Sequence, residues 1–413
     1  MSITFPQNFF WGAATAAHQV EGNNVNSDFW LMEHLPGSIF AEPSGDAIDH
    51  YHRYPEDIAM LAELGFNSYR FSIEWARIEP EEGRFSQAAL DHYRRMLEAC
   101  RKHGLKAVVT FHHFTSPRWL ITAGGWTEQD TAAKFARYCA RAIRDVGDLI
   151  DVVCTINELN IPMMIQRIFM AAPNKEMQAA RRAFMQAAVN AFGIAPDRFS
   201  PFLFAGSEQA RAVMLDAHAQ AVSAIKAERR DLPVGMTLAL QDYQAVAGGE
   251  AMRDHMRRET QDIFLEAARY DDFVGVQTYS RERFGPDSHI GPEAGAELTQ
   301  MNYEFWPEAL EATLRYTHNI AGVPIMVTEN GIGTADDARR LEYYRRALQG
   351  VANCLNDGLD IGGYFAWSAF DNFEWMLGYR PTFGIISVDR ATQQRTPKPS
   401  ARRLGEVAQN NAL

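Results

Sequence analysis

Val323-Pro324-Ile325-Met326-Val327-Thr328-Glu329-Asn330-Gly331 decides how the rest of the chain is read. The run up to Val327 is short, apolar and stopped by Gly331 and Gly333. That is the pattern of a strand buried on both faces, as in a parallel sheet. The run then breaks into a carboxylate, and a closed parallel barrel carries its chemistry at strand C-termini. A single Glu there is more often a structural hydrogen-bond acceptor than a nucleophile. A second run, Val152-Val153-Cys154-Thr155-Ile156-Asn157-Glu158, ends the same way. Two strand-end glutamates suggest a facing pair of carboxylates, the equipment of glycoside hydrolysis.

Working outward, strand-like and helix-like runs alternate along nearly the whole length, the signature of repeated βα units. The expected strands are Phe10–Ala16, Ser68–Ile73, Ala107–Phe111, Val152–Ile156, Val234–Leu240, Phe273–Val276, Ile325–Thr328 and Gly363–Trp367. The expected helices are Pro55–Leu64, started by Pro55, then Gln87–His103 ending at Gly104 and Glu128–Val146 ending at Gly147. Further helices are expected at Glu208–Arg229, Ala251–Arg269, Pro307–Asn319, Asp336–Asn356 and Pro399–Ala408. This alternation fits an α/β fold of the (β/α)8 TIM-barrel type, ~250 residues plus insertions. An open doubly wound sheet would carry a Gly-rich phosphate turn, and no G-x-G-x-x-G stands here. No linker or composition break divides the chain, so residues 1–413 read as a single domain with long βα loops. Two such loops are Asn160–Ser207, with a helix expected at Lys175–Phe192, and Arg281–Met301. Both would form the rim of a pocket mouth.

A net charge of −12 argues against nucleic acid or an anionic membrane as partner. Cys100, Cys139, Cys154 and Cys354 stand singly, without metal-ligand or disulfide spacing, and read as buried thiols of a reducing compartment. No signal peptide or bilayer-length apolar run is seen, so a cytoplasmic location is expected.

Other strand ends carry Gln19 with Glu21, Arg70 with Glu74 and Trp75, His112-His113, Gln277-Thr278-Tyr279, and Trp367 followed by Glu374-Trp375. Amides and carboxylates bond pairs of hydroxyls, and indole faces stack on the C–H face of a pyranose. Each has a duller reading. A strand-end Trp is commonly rim packing, and Arg70 could be a surface ion pair. His112-His113 cannot chelate a metal together, because adjacent strand residues point to opposite faces. No metal or organic cofactor is expected.

Taken together, Phe10-Trp11-Gly12-Ala13-Ala14-Thr15 with Gln19-Val20-Glu21-Gly22, Tyr69-Arg70-Phe71-Ser72-Ile73-Glu74-Trp75, Thr155-Ile156-Asn157-Glu158, Thr328-Glu329-Asn330-Gly331 and the Trp367-to-Trp375 segment carry a resemblance. Across roughly residues 5–405 the chain resembles glycoside hydrolase family 1, the β-glucosidase family. The resemblance implies a (β/α)8 barrel and a retaining double displacement. It implies Glu329 as nucleophile, supported by Arg70 and Tyr279, and Glu158 as general acid and then base. Gln19, His113, Asn157, Gln277, Glu374 and Trp375 would bind the hydroxyls of the terminal sugar, with Trp367 as stacking floor and Phe383 beside it. Retention calls for carboxyl groups ~5–5.5 Å apart.

Departures from the family pattern fall mainly on the leaving-group side. Leu159 follows Glu158 where Pro is usual, Gln277-Thr278-Tyr279 replaces Asn-Tyr-Tyr, and Tyr303, near Trp306, stands where a Trp usually lines that side. The expected activity is exo-acting hydrolysis of a small neutral β-glucoside. β-Galactoside or β-fucoside cleavage, transglycosylation and a catalytically silent glycoside-binding barrel are the alternatives, and monomer and homo-oligomer stay open. A Glu at position 374 with no basic pocket near it disfavours phosphorylated sugars.

Overall fold

The computed structural model describes residues 4–170 and 175–413, with backbone alone for 167–170. Of the expected loop Asn160–Ser207, residues 171–174 therefore lie outside the described residues. The parallel strands Phe10–Ala14, Ser68–Ser72, Lys106–His112, Val152–Ile156, Val274–Thr278, Ile325–Asn330 and Ile361–Trp367 are continuous. The fifth run, expected whole, is split about Met236 into Val234–Gly235 and Thr237–Ala239. Gly235 pairs with Cys154 of the fourth strand, and Thr237 pairs with Gly275 of the sixth. The first strand pairs with the second through Gly12 and Ser68 and with the last through Gly12 and Phe365. The sheet thus closes into a (β/α)8 TIM barrel, and the split run carries it across the closure.

Nearly all strand residues are buried because both faces of the sheet are covered. A Cβ on Gly12 would stand 2.6 Å from both the Phe365 ring and the Ser68 carbonyl oxygen, so strands one, two and eight meet there only over glycine. Long helices pack outside: Gln87–Lys102, Thr131–Val146, Glu208–Glu228, Ala309–Ala321, Asp337–Asn356 and Pro399–Asn410. Asp336 caps its helix by accepting from the Ala338 amide at 2.9 Å. Gly104 ends another in the left-handed conformation, φ +73°.

Four expectations are corrected. The helix expected from Pro55 spans His50–Leu64, with Pro55 inside it. Its first turn is anchored by the buried His50–Asp57 pair at 2.8 Å, which outweighs the preference of Pro for a helix start. The helix expected from Glu128 starts at Thr131; it ends at Gly147 as expected, whose amide donates to the Ile143 carbonyl and which opens a 3₁₀ turn with φ −65°. The helix expected over Ala251–Arg269 is interrupted by a π-turn at Arg258–Asp262. The loop after the sixth strand begins with Arg281–Phe284, which pairs in parallel with Asp242–Ala245. All four cysteines are buried and free, and among the described residues no helix is long and apolar enough to cross a membrane.

Candidate active site

The seventh strand runs through Glu329 to Asn330 before it stops. Asn330 fixes that end: its amide donates to the Thr278 carbonyl at 2.6 Å, and its oxygen accepts from the Tyr364 hydroxyl at 2.7 Å. A Cβ on Gly331 would lie 1.9 Å from the Trp367 carbonyl oxygen, so the exit closes tightly on the eighth strand. These neighbours hold Glu329 on the barrel axis side, fully buried among polar groups.

Arg70 of the second strand donates from Nη1 to Glu329 Oε1 at 2.7 Å, and the Tyr279 hydroxyl donates to Oε2 at 2.7 Å. The same guanidinium donates from Nη2 to Asn157 Oδ1, and Gln277 Nε2 donates to that oxygen at 2.8 Å. Asn157 Nδ2 in turn lies 3.1 Å from His113 Nε2. An amide nitrogen only donates, so His113 Nε2 accepts and the ring carries its proton on Nδ1. Burial, with the Arg70 charge, keeps His113 well below the usual histidine range and therefore neutral.

Glu158 follows Asn157 with φ +45°, a left-handed conformation uncommon outside glycine. Thr237 stabilises the turn from the fifth strand: its hydroxyl accepts from the Glu158 amide at 3.1 Å, and its carbonyl from the Leu159 amide at 3.0 Å. The chain then enters the helix Ile161–Met170. Phe114, after His113, and Trp375, after Glu374, also have positive φ, +68° and +51°. Such conformations persist where surrounding contacts overdetermine them, commonly around functional groups.

The two glutamates differ electrostatically. Burial raises Glu329, but the Arg70 charge and the bonds from Tyr279 and Arg70 draw it back. Burial, then the negative charge of Glu329, pushes Glu158 well above the ordinary carboxyl range, and Arg70 opposes this only in part. Among the described residues no hydrogen bond is made to the Glu158 carboxyl group. Glu374 is pushed up to about 8 by burial and the charge of Glu329, against a hydrogen bond from Gln19. The pair is thus biased toward one charged and one protonated member.

Aromatic rings form a wall beside this network. His113 stacks on Trp367 at 5.8 Å and on Trp375 at 6.0 Å between centroids. Phe383 meets Tyr279 edge-on at 5.9 Å. Gln19 donates to the Phe373 carbonyl at 2.6 Å and to Asn372 Oδ1 at 3.1 Å. Among the described residues, Gln19 Oε1, His113 Nδ1 and Gln277 Oε1 are buried without a hydrogen-bond partner, as a hydroxyl-rich ligand requires. His112 points away from His113, into Trp126 and Phe202, and bonds Ser116 at 3.1 Å. No group of three His, Cys, Asp or Glu side chains spaced for a metal occurs among the described residues.

Arg70, His113, Asn157, Glu158, Gln277, Tyr279 and Glu329 are therefore brought together, and Glu374, Gln19, Trp367, Trp375 and Phe383 surround them. Gln277 does not bond Glu329; it bonds Asn157 and Thr237. Tyr303 is 41% exposed at the rim. Trp306 is covered on one face by the Arg281 guanidinium at 3.6 Å, with Arg281 held by Glu304. Sequence reading missed Thr237, whose signal was its position as the one hydroxyl in an apolar strand run.

Known proteins resemble this chain over nearly its whole length. The sequence profile described as Glycosyl hydrolase family 1 matches residues 1–285 and 277–413. A beta-glucosidase of Agrobacterium sp. is 31% identical over 453 residues, covering 99% of this chain and 96% of the relative. The crystal structure of beta-glycosidase BGL167 superposes with TM-score 0.95 at 56% identity, over 99% of this chain and 98% of that one. The apo structure of a beta-glucosidase 1317 gives TM-score 0.90 at 44% identity, over 97% and 98%.

Proposed function

The chain belongs to glycosyl hydrolase family 1 and is an O-glycosyl hydrolase of the β-glucosidase kind, and from that premise we propose that Glu158 and Glu329 release a terminal β-D-glucosyl residue by double displacement. Glu329, charged beside Arg70, attacks the anomeric carbon while Glu158 gives its proton to the departing glycosidic oxygen. A glycosyl ester on Glu329 results. Glu158, now ionised, takes a proton from a water molecule that attacks the same carbon, and Glu329 leaves as carboxylate.

The observation that carries this reading is the unequal environment of the two acids: Arg70 and Tyr279 bond Glu329, whereas Glu158 faces burial and its partner's charge. Gln19, His113, Asn157, Gln277, Glu374 and Trp375 bind the glucosyl hydroxyls, with Trp367 below the ring and Phe383 at its side. The unpartnered Gln19, His113 and Gln277 atoms support that assignment. The whole reaction is carried by side chains of residues 1–413 acting as one domain.

Incubation with a 2-fluoro β-glucoside bearing a good leaving group tests the scheme. A stable adduct of one fluoroglucosyl unit on the peptide holding Glu329 is expected, with activity lost in step. Labelling at another carboxylate, or none with full activity retained, would overturn it.

A further inference from the structure

An acid that protonates a departing oxygen must be held in place, yet among the described residues no hydrogen bond reaches the Glu158 carboxyl group. Its position is therefore set from the backbone behind it. That backbone is left-handed at Glu158, φ +45°, a conformation that persists only where neighbours fix it. The neighbour here is one short strand, Thr237–Ala239.

Three consecutive residues dock on that strand. The Glu158 amide donates to Thr237 Oγ1 at 3.1 Å, and the Leu159 amide donates to the Thr237 carbonyl at 3.0 Å. Proline at 159 would have no hydrogen for the second bond. Asn160 clasps Ala239: its Oδ1 accepts from the Ala239 amide at 2.8 Å, and its Nδ2 donates to the Ala239 carbonyl at 2.7 Å. Of these contacts, the one made to Glu158 itself is the one that a strand side chain supplies.

The Thr237 hydroxyl has one hydrogen and two lone pairs. Its partners Glu158 N, at 3.1 Å, and Gln277 Nε2, at 3.2 Å, are both N–H donors, so they take the two lone pairs. The hydrogen is left for Asn157 Oδ1 at 3.3 Å. Arg70 and Gln277 donate to that same oxygen, and Arg70 also holds Glu329. One fully buried hydroxyl therefore ties the backbone of the acid to the network that orients the nucleophile.

We propose that Thr237 is a positioning residue of the reaction, its hydroxyl fixing where the Glu158 carboxyl group stands relative to the glycosidic oxygen. The inference rests on the hydrolase reading above and adds to it a residue that touches no substrate.

The test compares kcat/KM on phenyl β-D-glucoside and on 2,4-dinitrophenyl β-D-glucoside. The sugar is the same in both, and kcat/KM covers only the steps up to the glycosyl ester. Phenolate leaves poorly and needs the Glu158 proton, whereas dinitrophenolate leaves unassisted. Their ratio therefore reports the placement of the acid and not the binding of the sugar. Thr237→Val and Thr237→Ala, which lack the hydroxyl, are each expected to lower the phenyl-to-dinitrophenyl ratio about tenfold or more, part of the about 10²–10⁴-fold that a positioned acid supplies. Thr237→Ser, which keeps the hydroxyl, is expected to hold the ratio within threefold of wild type. Either of the first two variants that folds, as judged by its circular-dichroism melt, suffices for the comparison. Equal loss on the two substrates, no loss on either, or a Ser variant that loses the ratio as Val does would overturn the inference. So would failure of both the Val and Ala variants to fold while Ser folds, since the hydroxyl would then serve the barrel alone. A wild type that cleaves neither glucoside would strike down the hydrolase reading and this inference together.

Discussion

Arg70 and Glu329 meet at 2.7 Å, guanidinium to carboxylate, from the middle of strand two and the end of strand seven, and the same guanidinium bonds Asn157 at the end of strand four. Three barrel strands are thereby locked to one planar cation. Lysine keeps the charge but has no fork with which to hold both partners. Arg70→Lys is expected to lower kcat on an aryl β-glucoside by about 10²-fold or more, the scale of losing one preorganised donor at a reacting group. Turnover within twofold of wild type would show that the fork is dispensable.

Tyr279 acts on the same carboxylate from the other side. Its hydroxyl bond to Oε2 lowers the Glu329 pKa against the rise caused by burial. Since Glu329 must be ionised to attack, its titration sets the acid limb of kcat/KM. Tyr279→Phe removes a bond to the charged form, so the acid limb is expected to move to higher pH with kcat reduced. An acid limb that stays in place or moves to lower pH contradicts the nucleophile role assigned to Glu329.

The basic limb belongs to Glu158, which must keep its proton. Burial, the charge of Glu329 and finally the charge of Glu374 hold that proton on. Glu374 itself sits at about 8, so it contributes its charge only above that point. In Glu374→Gln this contribution vanishes, and the basic limb is expected at lower pH than in the wild type. Parallel profiles of kcat/KM for the two proteins would show that Glu374 does not reach Glu158.

What the sequence made legible was whatever local chemistry dictates. Both strand-end glutamates, Arg70 and the seven continuous strands were readable because period, β-branching and a terminal polar residue are local signals. The break at Met236 was not, because it follows from closing the barrel: Gly235 serves one neighbour and Thr237 the next. A Cβ on Gly235 would lie 2.1 Å from the Phe273 carbonyl oxygen, a contact made 38 residues away in the chain. Thr237 was missed for the same reason. Its roles toward Glu158, Gln277 and Asn157 exist only once strands four, five and six are side by side. The start of the helix at His50 likewise depends on Tyr69, Asp57 and Arg395, which no local pattern announces.

Glu74 gives a stability prediction independent of catalysis. It is buried at the end of the second strand, and both its oxygens accept from the Thr115 hydroxyl at 2.9 Å. Burial raises it from 4.5 to about 7, against the charge of His18 and the bond from Thr115. A carboxyl raised in the folded state contributes stability that is full below 4.5 and is lost as pH climbs through about 7. The loss on this scale is about 3 kcal/mol. Glutamine has the same shape and no charge at any pH, so Glu74→Gln should flatten this part of the profile. Thermal unfolding followed at pH 5 and pH 8 is expected to show a wild-type Tm that falls more steeply than that of the variant, with the variant the more stable at pH 8. A variant that loses Tm over this interval as steeply as the wild type would mean that Glu74 is already ionised at pH 5, its charge matched by Arg77 and His18.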